Sequence, residues 1–302
     1  MWYLILQEPI DKEVRRMNKY LISGFADEIA QDLTTQLENL KKLDMHYMEM
    51  RGVDGNNLIF HTADKVKEIK ERLDDAGVAL SALGSPLGKI GIEDAFEKHF
   101  EDFKQAVEIA HRMDCPNIRM FSFYVPEGKG KEYKGKVFDR LGQFADYAKA
   151  NNVVLLHENE KGIYGEKAKE CKEIMDTFRG AHFRAIFDFA NFVQADQDTW
   201  EAYKLLKEDI AYIHVKDAIK GTGQVVPAGM GDGNVEDILK DLYADGFKGF
   251  LSLEPHLFNF TGFAGLEKGE NNIGGGPAKV LSGEEAFALA HESLMKILKH
   301  IG

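Results

Sequence analysis

Short apolar runs alternate along the chain with longer segments whose apolar residues recur every three or four positions. The first run, YLISGF (20–25), reads as a strand followed by the acidic turn Ala26-Asp27-Glu28. Leu33, Leu37 and Leu40 then mark one face of a helix. HYMEM (46–50) is the second strand, ending at Glu49 and Arg51. The helix after it carries Val66, Ile69, Leu73 and Ala76 on one side, and Gly77 closes it in the manner of a left-handed cap. VALSALG (78–84) is the third strand and opens into Ser85-Pro86-Leu87-Gly88-Lys89. Phe96, Phe100, Phe103, Val107 and Ala110 give the third helix its period, and NIRMFSF (117–123) is the fourth strand. VPEGKGKEYKGK reads as a polar, glycine-bearing loop, with a helix from its end to Asn151-Asn152.

Four similar runs follow: VVLLHE ending at Glu158, RAIFD ending at Asp188, AYIHVKD with His214, and FLSLEPH with Glu254. Helical patterns fall between them around 165–178, 198–207 and 235–245, and an amphipathic helix from Glu284 to His300 closes the chain. Strict alternation implies parallel strands joined by right-handed crossovers. An open doubly wound sheet is the competing arrangement, but the first strand lacks a GxGxxG turn, and eight units favour closure. The expected fold is α/β, a single (β/α)8 TIM barrel spanning 17–302. Residues 1–16 are expected to be an appendage outside the core, because the first convincing strand starts in MNKYLISGF from Met17; WYLIL is too short and too poorly flanked for a signal peptide or a membrane span. The stretch between His256 and Ser282, with Phe258, Phe260, Phe263 and Gly274-Gly275-Gly276, is expected to be a long loop on the mouth of the barrel, in the position of a lid.

Composition adds little to the fold and removes some functions. At 302 residues, 44% hydrophobic and 29% charged, the chain is ordinary for a globular enzyme. A net charge of −12 without a Lys/Arg block disfavours nucleic acid, because phosphate binding needs a positive footprint. Cys115 precedes a proline and Cys171 sits on a helix pattern, so no disulfide is expected and a reducing cytoplasm is the default setting. The expected partner is a small molecule, with no membrane and no nucleic acid; a homo-oligomer is compatible with the sequence and not fixed by it.

The chemistry lies in the last four strands. Glu158, Asp188, His214 and Glu254 are 30, 26 and 40 positions apart in turn, one strand–helix unit each time. Strands laid parallel in a barrel bring their C-terminal ends to one mouth, so three carboxylates and an imidazole converge there. That hard, oxygen-rich set suits one divalent cation, Mn²⁺, Mg²⁺, Co²⁺ or Zn²⁺, whose charge offsets the repulsion among the carboxylates.

HEN (157–159), DFAN (188–191), HVKD (214–217), PAGMGDG (227–233) and LEPH (253–256) resemble the xylose isomerase-like TIM barrels. That superfamily includes sugar and sugar-phosphate isomerases and epimerases, inosose dehydratases, hydroxypyruvate isomerases and the endonuclease IV group. The resemblance implies a metal held by Glu158, Asp188, His214 and Glu254, with Glu158 and Glu254 also serving as the acid–base pair of the ketose epimerases. Where the family often has a histidine three residues after the strand-six aspartate, this chain has Asn191. The endonuclease group's extra histidines on strands two and three are replaced by Glu49 and Ser85-Pro86, which departs from a trinuclear site.

The expected function is therefore a metal-dependent sugar or sugar-phosphate isomerase or epimerase working through an enediolate. The alternatives are an inosose-type dehydratase on the same scaffold and a sugar-binding barrel without turnover. Expected substrate contacts are Lys216, Lys220, His256, Lys89, Arg51 and Asn191. For Lys216 the competing reading is an ion pair with Asp217; Lys220 corresponds to a substrate-binding arginine of related epimerases. His256, two beyond Glu254, shares its side by strand alternation, and His157 points away from Glu158. Phe25 is a candidate pocket wall with Phe258 and Phe260. PAGMGDG lacks GK[ST], so it is not a phosphate loop, and a tight backbone approach to the site is its expected role.

Overall fold

The computed structural model describes residues 20–257 and 281–302. The expected appendage at 1–16 and the 258–280 part of the long loop, with Phe258, Phe260 and Phe263, lie outside the described residues.

Eight parallel strands form the barrel: β1 (Leu21–Gly24), β2 (Tyr47–Met50), β3 (Ala79–Leu83), β4 (Asn117–Met120), β5 (Val154–Glu158), β6 (Phe183–Asp188), β7 (Ile210–Val215) and β8 (Phe250–Leu253). Each pairs with its sequence neighbour from β2 to β8, and β8 pairs with β1. β1 and β2 lie side by side without a strand ladder, so the barrel is nearly closed. Asp27 bridges that seam at the mouth: its carboxylate accepts from the Arg51 guanidinium at 2.8 Å and from the Gly52 N–H at 3.1 Å.

The outer layer consists of α1 (Leu33–Lys42), α2 (Ala63–Ala76), α3 (Phe96–Arg112), α4 (Gly130–Ala150), α5 (Ala168–Phe178), α6 (Phe189–Gln194), α7 (Thr199–Leu206), α8 (Val235–Ala244) and α9 (Gly283–Ile301). Their ends follow side-chain chemistry. Asp32 and Thr62 cap α1 and α2, Gly77 ends α2 at φ +67°, and Ser282 with Glu285 forms a capping box on α9.

Two expectations differ from the structure. α4 starts at Gly130, inside the segment read as a loop. Its apolar anchors, Val137, Leu141, Phe144 and Ala148, all lie later, so the exposed first turns carry no periodic signal. α6 was not expected, because it is a six-residue helix too short to show a period, begun by the Asp188 carboxylate accepting from the Asn191 N–H at 2.8 Å.

Strand alternation separates two environments. Leu155, Phe187 and Leu251 face the main core between barrel and helices. Leu156, Ile186 and Tyr212 form a separate cluster with Ala82, on the inward face. Two residues further along the same faces come Glu158, Asp188 and His214. An apolar plug thus underlies a charged mouth, and each functional side chain inherits its direction from the strand that carries it.

Candidate active site

Glu158, Asp188, His214 and Glu254 are fully buried and offer ligand atoms that all lie within 4.8 Å of one another. Glu158 and Asp188 are the last residues of β5 and β6, His214 lies inside β7, and Glu254 follows β8. Nδ1 of His214 is 2.9 Å from Glu158 Oε1, 3.7 Å from Glu254 Oε2 and 3.9 Å from Asp188 Oδ2. At an effective dielectric near 20, two like charges about 4 Å apart repel by roughly 4 kcal/mol, so this cluster requires cations.

The protein supplies several. Lys216 Nζ is 2.9 Å from Glu254 Oε2 and 3.3 Å from Asp188 Oδ2. Arg119 Nη1 reaches Glu158 Oε2 at 3.2 Å, and Arg51 Nη1 reaches Glu254 Oε1 at 3.3 Å. Each glutamate therefore turns one oxygen toward the cluster and the other toward an arginine. Both guanidinium groups lie over the Phe25 ring, at 4.6 Å for Arg51 and 4.8 Å for Arg119, so Phe25 is a wall for the two cations.

The titration behaviour follows from these neighbours. Burial alone would push Glu158 up, but His214 and Arg119 hold it down at about 2. Burial likewise opposes ionisation of Glu254, and Lys216, His256, His214 and Arg51 hold it well below the usual carboxylate range. Asp188 goes the other way, pushed up to about 8 by burial, with Lys216 opposing and Glu254 and Glu158 reinforcing. Its Oδ2 is buried without a hydrogen bond among the described residues. A carboxylate oxygen that faces the Lys216 ammonium at 3.3 Å without a hydrogen bond, beside two more carboxylates and an imidazole nitrogen, belongs to a hard donor set that fits a divalent cation.

The other expected contacts divide. Asn191 donates from Nδ2 to Glu158 Oε1 at 3.3 Å and to the Asn159 carbonyl at 2.9 Å. His256 has φ +45°, and its Nε2 is 3.5 Å from Glu254 Oε1 and 3.3 Å from Glu28 Oε1. Lys89 sits over the Phe121 ring and pairs with Glu160 at 3.1 Å, beside the cluster rather than in it. Lys220 is not brought to the site: its exposed side chain pairs with Asp196 at 3.7 Å. Asp217–Ala218 pairs antiparallel with Val225–Val226, and this hairpin carries Lys220 outward on its tip.

Two readings are corrected. Lys216 does not pair with Asp217, because neighbours on an extended strand point to opposite faces. Asp217 instead accepts backbone N–H bonds from Ala218, Gly229, Gly231 and Gly233 at 2.9–3.0 Å. The glycines of PAGMGDG therefore approach this carboxylate rather than the cluster. A Cβ on Gly231 would stand 2.5 Å from the Ala218 carbonyl oxygen, so only glycine fits there.

Four charged side chains around the cluster were not among the expected site residues: Arg119, Asp27 and Glu28 at the mouth, and Glu49 beneath it. Arg119 had a signal, an arginine inside an otherwise apolar strand, which burial makes costly unless it is paired. Glu28 accepts the His256 N–H at 2.7 Å, and burial pushes its carboxyl up to about 8.

With this geometry in place, comparison with known proteins gives the family. The xylose isomerase-like TIM barrel family model matches residues 37–273. The chain belongs to that family. Over 138 residues it is 25% identical to an inosose dehydratase of Mesomycoplasma hyopneumoniae; the match covers 41% of this chain and 46% of that protein, so the chain spans less than half the length of the curated relative. Among solved structures, the IOLI protein with a bound zinc atom superposes with a TM-score of 0.70 at 18% identity, covering 93% of this chain and 99% of that one. The 3-keto-D-glucoside 4-epimerase YcjR of E. coli gives 0.64 at 14% identity, covering 93% and 99%. At these identities the structures testify to the fold alone. None of the described helices is long and apolar enough to cross a membrane.

Proposed function

We propose that this xylose isomerase-like TIM barrel is a metal-dependent isomerase or epimerase of a small sugar, sugar phosphate or related polyhydroxy ketone. The observation that carries the reading is the convergence of Glu158 and Glu254, from β5 and the end of β8, on one point shared with Asp188 and His214. A divalent cation held by these four residues would supply a Lewis acid for a ketone oxygen and its neighbouring hydroxyl, acidifying the C–H between them. Glu158 takes that proton from one face of the substrate, and Glu254 returns one to the resulting enediolate from the other, inverting the centre. Arg119 and Arg51, each on the outer oxygen of one glutamate, hold the two carboxylates ionised and fix their planes. Asn191 restrains Glu158 from the α6 side. Lys216 and His256 flank Glu254 within reach of substrate oxygens. A reducing, cytoplasmic setting belongs to this reading, since Cys115 and Cys171 are both buried free thiols.

The second reading, an inosose-type dehydratase, is favoured by the curated relative. It begins with the same proton abstraction, after which the enediolate expels a β-hydroxyl. Mn²⁺-loaded protein incubated with ketoses, ketose phosphates and inososes, followed by mass spectrometry and chromatography, separates the two. Product of unchanged mass supports the isomerase or epimerase, product lighter by one water supports the lyase, and no product from any of these compounds contradicts both.

A further inference from the structure

Below the cluster, a fourth carboxylate lies in the barrel interior. Glu49 is fully inaccessible; its Oε2 accepts from the Tyr212 hydroxyl at 2.8 Å and from the Ser252 hydroxyl at 2.7 Å, and lies 3.0 Å from His214 Nε2. The network continues downward: Tyr212 meets the Ser81 hydroxyl at 2.8 Å, and Ser81 meets Ser23 at 2.6 Å. Five barrel strands (β1, β2, β3, β7 and β8) thus fix this one oxygen. The ladder between β2 and β3 shifts register between Met48 and Glu49, an irregularity of the kind that re-aims a side chain beside a functional site.

The two nitrogens of His214 face different groups. Nδ1 looks toward Glu158, Asp188 and Glu254, and Nε2 toward Glu49. Phe25 and Tyr212 contact the imidazole edge-on, with centroids 5.2 Å and 5.8 Å away, which limits its rotation. A ring nitrogen that binds a cation cannot carry a proton, and the hydrogen bond made by the other nitrogen selects the tautomer.

We propose that Glu49 is the positioning residue of the metal centre: it holds the proton on His214 Nε2, so that Nδ1 is the nitrogen presented to the cation. The inference rests on the metal site proposed above and goes beyond its ligand set. Glu49 touches neither cation nor substrate; it acts through His214. Its removal frees the imidazole to adopt the wrong tautomer without altering any ligand.

The test uses the full chain labelled with ¹⁵N-histidine and loaded with ¹¹³Cd²⁺, together with isothermal titration of Cd²⁺ into wild type and Glu49→Gln. The expected spectrum shows one-bond cadmium coupling to Nδ1 and a retained proton on Nε2 of His214, assigned by loss of the signal in His214→Gln. Glu49→Gln is expected to weaken Cd²⁺ binding on the order of tenfold and to speed exchange of the Nε2 proton. Coupling to Nε2 in wild type overturns the inference and needs no variant to fold. A Cd²⁺ affinity in Glu49→Gln within twofold of wild type, with unchanged proton exchange, overturns it as well. Wild type that takes up no Cd²⁺ overturns the metal site itself, an outcome distinct from the other two.

Discussion

Arg119 Nη1 lies 3.2 Å from Glu158 Oε2, and both side chains are almost completely buried. The pair joins adjacent strands β4 and β5 at the mouth and leaves only the other glutamate oxygen to the cluster. Removing one partner of such a pair strands a buried charge, at a cost of about 3–5 kcal/mol. Arg119→Met is therefore expected to destabilise the metal-free protein by about 3 kcal/mol, and adding Glu158→Gln should recover more than half of the loss. Urea unfolding of the four proteins of this cycle measures the coupling.

Asp188 provides a test of the cluster as a metal site. Burial holds its carboxyl up at about 8 against 3.8 in an unfolded chain, so at pH 7 folding forces a proton onto it, and Asp188→Asn, which needs none, is expected to stabilise the metal-free protein by on the order of 2–4 kcal/mol. Wild type at Mn²⁺ a hundredfold above Kd should gain about 2.7 kcal/mol. The variant should gain almost none, and EDTA should return wild type to its metal-free melting temperature. Thermal scans with and without metal read all four outcomes.

Asp217 organises the loop after β7 through four backbone N–H bonds. Hydrogen bonds to a charged acceptor contribute about 1.5–3 kcal/mol each when one partner is removed singly. Asp217→Ala is expected to cost about 3 kcal/mol or more and to raise amide exchange across 229–233. Gly231→Ala should produce the same exchange pattern through its clash with the Ala218 carbonyl. Hydrogen-exchange mass spectrometry compares the two.

His99 gives stability an acid limb. Its Nε2 accepts the Gly88 N–H at 2.7 Å, and burial holds the imidazole down at about 4, against 6.5 for a free histidine. The unfolded chain therefore binds the extra proton first. The stabilisation is fully present above about pH 6.5 and is lost as pH falls toward 4, by on the order of 2–3 kcal/mol. Denaturation at a series of pH values should show that slope in wild type and a shallower one in His99→Gln.

The barrel and the four clustered residues were legible because each carboxylate or imidazole closes or nearly closes an apolar run, and parallel strands bring like ends together. The charges that surround them were harder to read. Arg119 stands out as a charge inside an apolar strand, but its partner, Glu158 on β5, is fixed only by the folded register. Glu49 belongs to the site only through Tyr212, Ser252 and His214, from strands far away in sequence. Lys220 and the Lys216–Asp217 choice turn on where strand alternation stops, and the hairpin at Asp217–Ala218 decides that. The start of α4 and the whole of α6 escaped for a simpler reason: neither presents a full apolar period.

Solvent exchange at the substrate carbon tests the central claim most directly. Mn²⁺-loaded protein is offered ketoses, their phosphates and inososes in D₂O, beside Glu158→Gln, Glu254→Gln and metal-stripped wild type. The account predicts deuterium at the carbon beside the carbonyl in wild type, lost in both variants and without metal. Absence of exchange with every substrate, from protein that holds its metal tightly, would contradict it.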